Sequence, residues 1–414
     1  MCKIRIKNFG PIKEGYLENE GWMDIKKVTV FIGNQGSGKS TVAKLISVFM
    51  WLEKSIIRGD LPEDLNSYKG LDEILRFHRI ENYFQENTQV SFEGRAYRFT
   101  MVKKLTEFAP KFKVDKIEFA ENLLPKIMYV PAERNFLSAI SNISKISDFI
   151  VGSLKDYSIE FRNAQLAYKD KEINLPINNT SVYYDAKDDE NYIGFGGKKL
   201  KLTEASSGFH SIVPLFWVSK YLVDFLKLGE KRLLELLSPD QTVRRRNELN
   251  ELNKEFISED VLKEKEKQIN AKYICNHFVN IVEEPEQNLF PTSQKSMLES
   301  LLTFNNESEN NRLIITTHSP YLINYLTLAV KADMVEENLN NEKISLKKLA
   351  EIVPVEATIA GTDLAIYELS ESDGLIKMLP DYKGLPSDEN YLNSSLEDSN
   401  ELFAQLQEIE KGWR

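Results

Sequence analysis

The fold of this chain is decided by a stretch near its start, KVTVFIGNQGSGKST at residues 27–41. Its first part, residues 28–32, is apolar and rich in β-branched side chains, as in a strand buried on both faces. Three glycines interrupt the next six residues, and an apolar spacing typical of a helix runs over residues 40–57. The order strand, glycine-rich loop, helix predicts an α/β fold.

The glycine-rich loop is suited to hold a chain of phosphates. Glycines let consecutive backbone N–H groups turn inward, and the start of the following helix adds partial positive charge. Lys39 can reach the terminal phosphates of a nucleotide, and the Ser40 hydroxyl is a magnesium ligand. A chance glycine-rich turn is the alternative, and the flanking strand and helix disfavour it. The residues expected to bind nucleotide here are Gly33, Asn34, Gly36, Ser37, Gly38, Lys39, Ser40 and Thr41.

A second apolar strand, at residues 278–282, ends in the acidic run EEPE at residues 283–286. Ligands of open α/β sheets bind at the carboxyl ends of the strands, so these carboxylates are expected beside the glycine-rich loop. Glu283 would hold magnesium through water, and Glu284 would orient or deprotonate an attacking water. Without that loop, an acidic turn that merely solvates the strand end would be an equally good interpretation.

A third apolar strand, at residues 312–316, leads into THSP at residues 317–320. This places His318 at the same predicted sheet edge, where a histidine can donate to a terminal phosphate and respond to its loss. A lone histidine is more often structural than functional. The position of His318 at a third strand end favours the functional interpretation.

A fourth motif, ASSGFHS at residues 205–211, opens an apolar helix. A Ser-Ser-Gly turn at a helix start can be a simple N-cap, and taken alone that interpretation is favoured. The functional interpretation is an anion site built from a hydroxyl, backbone N–H groups and the helix dipole, at Ser206, Ser207 and Gly208.

Composition excludes several classes of protein. The 414 residues carry a formal net charge of −10, which disfavours a broadly basic nucleic-acid-binding surface without excluding a local groove. Two cysteines cannot build a disulfide framework or a thiolate zinc cluster. The apolar runs are too short to span a membrane, and residues 1–7 do not resemble a signal peptide. A soluble cytoplasmic protein is expected.

Together the four motifs resemble the ABC-type ATPases, and specifically the soluble branch that contains the RecF, SMC and OLD-type proteins. The opening IKNFGPI at residues 6–12 is similar to the start of that branch. Residues 205–211 resemble its signature turn, residues 281–291 its Walker B strand and D-loop, and residues 316–320 its switch-histidine strand. The likeness is closest to ATPases of bacterial anti-phage systems, such as the PtuA subunit of Septu and the AriA subunit of PARIS. Residues 129–135 (YVPAERN) also resemble a segment of those proteins.

The resemblance implies a P-loop NTPase head with a mixed central sheet, a helical lobe carrying the signature turn, and a charged helical insertion. It implies ATP and Mg²⁺ as ligands, and two copies that close head to tail around ATP, as a homodimer or a higher homo-oligomer. Ser206 and Gly208 would then touch the γ-phosphate bound to Lys39 of the partner chain. The expected organisation is residues 1–228 for the first part of the ATPase, 229–272 for the insertion, 273–360 for the second part, and 361–414 for a small C-terminal α/β extension.

Three departures from the family pattern bear on activity. Glu283 stands where the family usually has aspartate, and the signature turn is Ser-Ser-Gly rather than Ser-Gly-Gly. The family glutamine after the strand that ends at Val130 has no counterpart that can be located, and Glu133 stands near its position.

The sequence predicts an ATPase more clearly than it predicts the process that the ATPase serves. One hypothesis is a sensor or regulatory ATPase of a bacterial anti-phage system that controls a separate nuclease or toxin. The alternative is a RecF-type repair ATPase that acts directly on DNA, and a third is a switch that binds ATP tightly and hardly hydrolyses it. The insertion, with its basic run at residues 244–246, would either dock a partner protein or DNA or form a solvated helical hairpin, with equal weight for both.

Overall fold

The computed structural model describes residues 2–61, 68–107, 109–117, 124–140, 150–254, 258–339 and 343–412. The strands, numbered along the chain, are β1 (Cys2–Phe9), β2 (Gly15–Tyr16), β3 (Met23–Ile25), β4 (Val28–Gly33), β5 (Phe84–Glu93), β6 (Tyr97–Lys103), β7 (Lys111–Lys116), β8 (Leu124–Val130), β9 (Ile173–Asn174), β10 (Ser181–Asp185), β11 (Glu190–Phe195), β12 (Lys198–Lys201), β13 (Cys275–Glu283), β14 (Arg312–Thr317), β15 (Leu364–Leu369), β16 (Leu375–Met378), β17 (Asp381–Tyr382) and β18 (Leu385–Pro386). The helices are α1 (Lys39–Ile57), α2 (Tyr68–Phe77), α3 (Phe136–Ala139), α4 (Ser153–Ala167), α5 (Ser207–Leu226), α6 (Glu230–Glu235), α7 (Pro239–Leu252), α8 (Glu259–Ala271), α9 (Pro291–Asn306), α10 (Pro320–Asn338), α11 (Lys343–Ile352) and α12 (Tyr391–Gly412).

Seven strands of the described residues form a mixed central sheet, in the order β2-β16-β15-β4-β14-β13-β8. The five strands from β15 to β8 are parallel, and β16 is antiparallel to β15. Strand β4 is buried along its whole length because it has a neighbour on each side and packing on both faces. The predicted α/β class with a mixed central sheet is confirmed.

The central sheet separates two hydrophobic cores, and β4 contributes to both because its side chains alternate. Val28, Val30 and Ile32 pack in the core formed with α5, α9 and α10. Phe31 packs in the core formed with α1 and a five-stranded antiparallel sheet of order β3-β1-β5-β6-β7. The apolar pattern at residues 28–32 follows from this burial on both faces.

A helical lobe with its own small sheet leads into α5. Four antiparallel strands, in the order β12-β11-β10-β9, turn Val182, Tyr184 and Ile193 toward a core that they share with Trp217 of α5. Helix α4 packs beside them. The sequence predicts helix from about residue 135 to 169, of which residues 141–149 lie outside the described part. This lobe fixes where α5 begins, and hence where the signature turn at residues 205–211 lies.

The charged insertion, α6 to α8, lies against the end of α1. The Arg244 guanidinium pairs with Asp60 at 2.6 Å, just beyond α1, and also donates to the Gly59 carbonyl at 3.1 Å. Arg245 donates to Asn270 at 2.7 Å within the insertion, while Arg246 is exposed. Two of the three arginines in the basic run at residues 244–246 therefore already have partners within the protein.

The C-terminal residues differ from the small extension that the sequence predicts. Strands β15 and β16 do pair with each other, as expected, but β15 also pairs in parallel with β4 over its full length. All its side chains except that of Glu368 are apolar or aromatic and buried, and it extends the central sheet on the side of β4 opposite β14. None of the helices in the described ranges combines the length and apolarity needed to cross a bilayer.

A truncation distinguishes a separate C-terminal extension from one whose strand β15 is part of the central sheet. We expect a chain that ends after residue 360 to lose cooperative thermal unfolding, because it lacks the buried side chains of β15. Each such side chain contributes about 1.5–3 kcal/mol, against about 5–15 kcal/mol for a whole domain. The matched control ends after residue 393 and lacks only most of α12, whose Leu402 and Leu406 are exposed. Cooperative melting of the 360-residue chain, followed by circular dichroism, would contradict the prediction.

Candidate functional site

The glycine-rich loop connects the end of β4 to the start of α1. Gly33 has φ of 142°, and a Cβ there would lie 2.2 Å from the Leu369 carbonyl oxygen, so only glycine fits. The Ser37 hydroxyl is buried and has no hydrogen-bond partner among the described residues. The Lys39 ammonium donates to the carbonyls of Gly33 at 2.9 Å and Asn34 at 2.8 Å. The loop thus presents the Lys39 ammonium and the partnerless Ser37 hydroxyl, and both groups are suited to bind a phosphate.

Two further residues predicted for the site lie beside Lys39. Its Nζ is 3.4 Å from His318 Nδ1, and His318 Nε2 is 3.3 Å from Glu284 Oε1. Adjacent parallel strands cause this convergence, because Glu283 of β13 pairs with Thr316 of β14 and both strands end at the same edge. Three segments that are far apart in sequence therefore meet within hydrogen-bonding range.

Glu283 is held from the strand on its other side. Its Oε1 accepts from the Tyr129 hydroxyl at 2.6 Å, and its Oε2 accepts from the Ala132 N–H at 3.2 Å. The carboxylate is 6% exposed, and burial raises the pKa of Tyr129 well above its usual value, so this hydroxyl stays a donor. Glu133, which stands near the position of the family glutamine, is exposed on the next turn.

Glu284 is presented by a strained backbone and remains ionised. It has φ of 43°, uncommon for a side chain of this size, and its N–H donates to the Thr316 carbonyl at 2.8 Å. The hydrogen bond from His318 lowers its pKa below the usual range for a glutamate. A partly exposed carboxylate that stays charged can accept a hydrogen bond from a water molecule and hold that water in position, although the lowered pKa makes it a weaker base.

Glu286 fixes the backbone that carries His318. Its Oε1 accepts from the Thr317 hydroxyl and from the His318 N–H, both at 2.8 Å. Its pKa is raised by burial, and its second oxygen is buried with no partner among the described residues. Glu286 is not among the residues that the sequence predicts for the site, although the spacing of the EEPE run places it beyond the strand end.

Arg134 is the most important residue that the sequence-based analysis did not assign. Its side chain is completely buried and donates to the carbonyls of Glu283 at 2.7 Å, Glu284 at 2.6 Å and Ser211 at 3.2 Å. Desolvation lowers its pKa, although an arginine remains charged at any physiological pH. It therefore joins the end of β13 to the N-terminal part of α5.

The signature turn lies apart from Lys39, His318 and Glu284, which together form the Lys39 cluster. Ser206 stands at the N-cap of α5 with no side-chain capping bond, and Ser206 and Ser207 are both exposed. A Cβ on Gly208 would lie 3.1 Å from the Asn288 carbonyl oxygen, so this glycine packs closely on the loop after β13. Within the described residues, no hydrogen bond or ion pair joins the turn to the Lys39 cluster. The capping interpretation thus lacks its expected bond, and the hydroxyls face outward.

The donor set constrains any metal. The described part of the chain holds no group of three or more histidine, cysteine or acidic residues that could bind one. Ser40 is exposed at the start of α1, and Glu283 lies at the same sheet edge. A cation at this place would take most of its ligands from phosphates and water, which fits magnesium better than zinc.

Comparisons with known proteins give structural neighbours only. No family model matches the chain, and no curated protein does. It is similar to an SMC head domain from Thermotoga maritima, with 11% identity, TM-score 0.39, and 92% and 98% of the two chains covered. It is also similar to an Smc head domain with an extended coiled coil bound to a ScpA domain derived from Pyrococcus furiosus, with 9% identity, TM-score 0.35, and 98% and 100% covered. A third is an ATP-binding cassette solved as a dimer with ADP and Pi, with 11% identity, TM-score 0.30, and 92% and 100% covered.

The burial of Lys39 predicts a pH dependence of nucleotide binding. Desolvation lowers its pKa to about 8, and the nearby carboxylates of Glu284 and Glu286 only partly oppose this. Below that pH the ammonium is charged before ATP arrives, whereas above it binding must also take up a proton. We expect the affinity for a fluorescent ATP analogue to fall about tenfold between pH 7 and pH 9. Equal affinity at both pH values would contradict this.

A variant without the titrating group provides the control. Lys39→Ala removes the ammonium, so its weaker residual affinity should be the same at pH 7 and pH 9. A fall of equal size in this variant would assign the titration to another group.

Proposed function

We propose that the chain binds ATP with Mg²⁺ and hydrolyses it, in a dimer that closes head to tail around two nucleotides. The observation that carries the proposal is the contact series from Lys39 to His318 to Glu284 at the carboxyl edge of the central sheet. A phosphate-binding lysine, a histidine and an ionised carboxylate in hydrogen-bonding range form the set that hydrolysis of a terminal phosphate requires. The ABC-type order of the motifs in the sequence supports it independently.

Each side chain then has one task. The loop N–H groups and Lys39 bind the phosphates, and moving Lys39 onto them exchanges its two carbonyl acceptors for a charged one. Ser40 and Glu283 would hold magnesium, which neutralises phosphate charge. Glu284 orients a water and accepts its proton, while His318 stays hydrogen-bonded between that carboxylate and the phosphate-binding lysine.

The exposed signature turn supports the dimer. Ser206, Ser207 and the N-terminus of α5 form a donor-rich surface outside their own chain's cluster. In a head-to-tail pair this surface would meet the γ-phosphate held by Lys39 of the second copy. ATP would then hold the two chains together, and hydrolysis would remove those contacts and release them.

Replacing the proposed base tests the catalytic assignment. Glu284→Gln cannot accept a proton but can still accept a hydrogen bond from water, so ATP should bind and remain intact. We expect the hydrolysis rate to fall at least about hundredfold and an ATP-dependent dimer to accumulate on size-exclusion chromatography.

The matched control is Glu371→Gln, a carboxylate that accepts from the Asn34 amide of the same loop at 3.0 Å and lies outside the Lys39 cluster. It should hydrolyse ATP at close to the wild-type rate. Wild-type turnover in Glu284→Gln would remove Glu284 from the proposed mechanism.

We further propose that this ATPase is the regulatory subunit of a bacterial anti-phage system and controls a separate nuclease or toxin. The sequence resemblance to such subunits supports this role. Direct action on DNA, the RecF-type alternative, is less well supported, because Arg244 and Arg245 already have partners and the net charge is −10.

A binding measurement separates the two roles. For the purified chain alone we expect no ATP-stimulated affinity for double-stranded DNA at physiological salt, measured by fluorescence anisotropy. Affinity that rises with ATP and falls steeply with salt would favour the DNA-acting alternative. Arg246→Glu, at the exposed arginine of the insertion, then shows whether that surface is responsible.

A further inference from the structure

Arg134 connects two parts of the protein that serve different nucleotides in the proposed dimer. We infer that Arg134 is a positioning residue that couples the two ATP sites, an inference that rests on the proposed function. Its guanidinium binds the end of β13, where Glu284 serves the chain's own nucleotide. It also binds the Ser211 carbonyl in the N-terminal part of α5, at the end of the signature turn that serves the nucleotide of the second copy.

The geometry makes this connection rigid. Nη1 donates to the Glu283 carbonyl, Nη2 to the Glu284 carbonyl and Nε to the Ser211 carbonyl, at 2.7, 2.6 and 3.2 Å. A planar guanidinium presents these donors in a fixed fork, whereas a lysine ammonium is a single point that cannot span the same three acceptors. Because the side chain is fully buried, no water is at hand to replace a lost bond.

A second contact joins the same two elements. The Asn288 amide, on the loop after β13, donates to the Ser211 hydroxyl at 3.1 Å. Gly208 packs on the Asn288 carbonyl one turn earlier. The signature turn is therefore tied to the Glu283–Glu284 backbone by Arg134 and to the following loop by Asn288, so a shift at one end moves the other.

The consequence is that the signature turn of each chain is positioned through the Glu283–Glu284 backbone of that same chain. A nucleotide that draws Glu284 toward its attacking water displaces the carbonyls that Arg134 holds, and thereby the start of α5. In the head-to-tail dimer this displacement reaches the γ-phosphate of the other nucleotide. Turnover should accordingly depend on Arg134 in the chain that supplies the signature turn, and not only in the chain that supplies Glu284.

Complementation between two inactive chains tests this directly. Lys39→Ala removes phosphate binding but leaves a usable signature turn, while Ser206→Asp opposes the γ-phosphate but leaves a usable Lys39 and Glu284. Each should be inactive alone, and the mixture should hydrolyse ATP at one composite site. We expect Arg134→Lys, added to the Lys39→Ala chain, to lower the complemented rate at least about tenfold.

The outcomes distinguish a failure of the proposed dimer mechanism from a failure of the coupling through Arg134. Failure of the starting mixture to hydrolyse ATP overturns the proposed dimer mechanism. Activity that is unchanged by Arg134→Lys in the Lys39→Ala chain overturns the coupling alone. An effect only when Arg134→Lys is placed in the Ser206→Asp chain would also overturn it, because Arg134 would then act solely on its own catalytic edge.

Two controls exclude a loss of folding. Arg162→Lys makes the same substitution at an arginine that binds Asp189 and Tyr184 inside the helical lobe, and it should leave the complemented rate within about twofold. If Arg134→Lys lowers the melting temperature of the chain, Ser211→Ala takes its place, since it removes only the hydroxyl that accepts from Asn288 and keeps the helix and the Ser211 carbonyl. Ser211→Ala in the Lys39→Ala chain should then lower the rate about threefold, and no change would overturn the coupling.

Discussion

The parallel register of β13, β14 and β4 is the constraint on which the candidate site depends. Thr316 pairs with both Glu283 and Phe31, and Thr317 pairs with Ile32. The three strands therefore end at the same edge of the sheet, and the predicted site residues that follow each strand lie there together. A shift of one residue would turn every side chain of a strand to the opposite face. It would also carry the residues that end that strand out of line with those that end its neighbours.

Around this edge, charged side chains form hydrogen bonds with backbone groups as well as with side chains of opposite charge. Arg134 donates to carbonyls, and Glu286 accepts from a backbone N–H and a hydroxyl. Backbone partners fix the position of Arg134 without neutralising the carboxylates of Glu283 and Glu284. Glu283 accepts from the Tyr129 hydroxyl and the Ala132 N–H, and Glu284 accepts from His318, so neither carboxylate is paired with the arginine. A direct ion pair between Arg134 and either carboxylate would satisfy burial equally well but would occupy oxygen atoms that the proposed hydrolysis needs.

Several features of the site were predictable from local pattern, and others were not. The motifs at residues 33–41, 283–284 and 318 each follow an apolar strand, and strand ends of a parallel sheet meet at one edge. Arg134 and Tyr129 carry no comparable signal, because their partners are a carbonyl and a carboxylate about 150 residues away. Strand β15 was recognisable as a strand, but its place beside β4 depends on pairing across more than 300 residues.

The sequence by itself determined that a glycine-rich loop lies between a buried strand and a helix, because glycine spacing and apolar periodicity are local properties of the chain. It also determined which residues end each strand. Only the tertiary structure decided that Lys39, His318 and Glu284 touch, that the signature turn faces away from them, and that a buried arginine joins the two. Those facts depend on which strands become neighbours, and that choice is made by the packing of two cores rather than by any one segment.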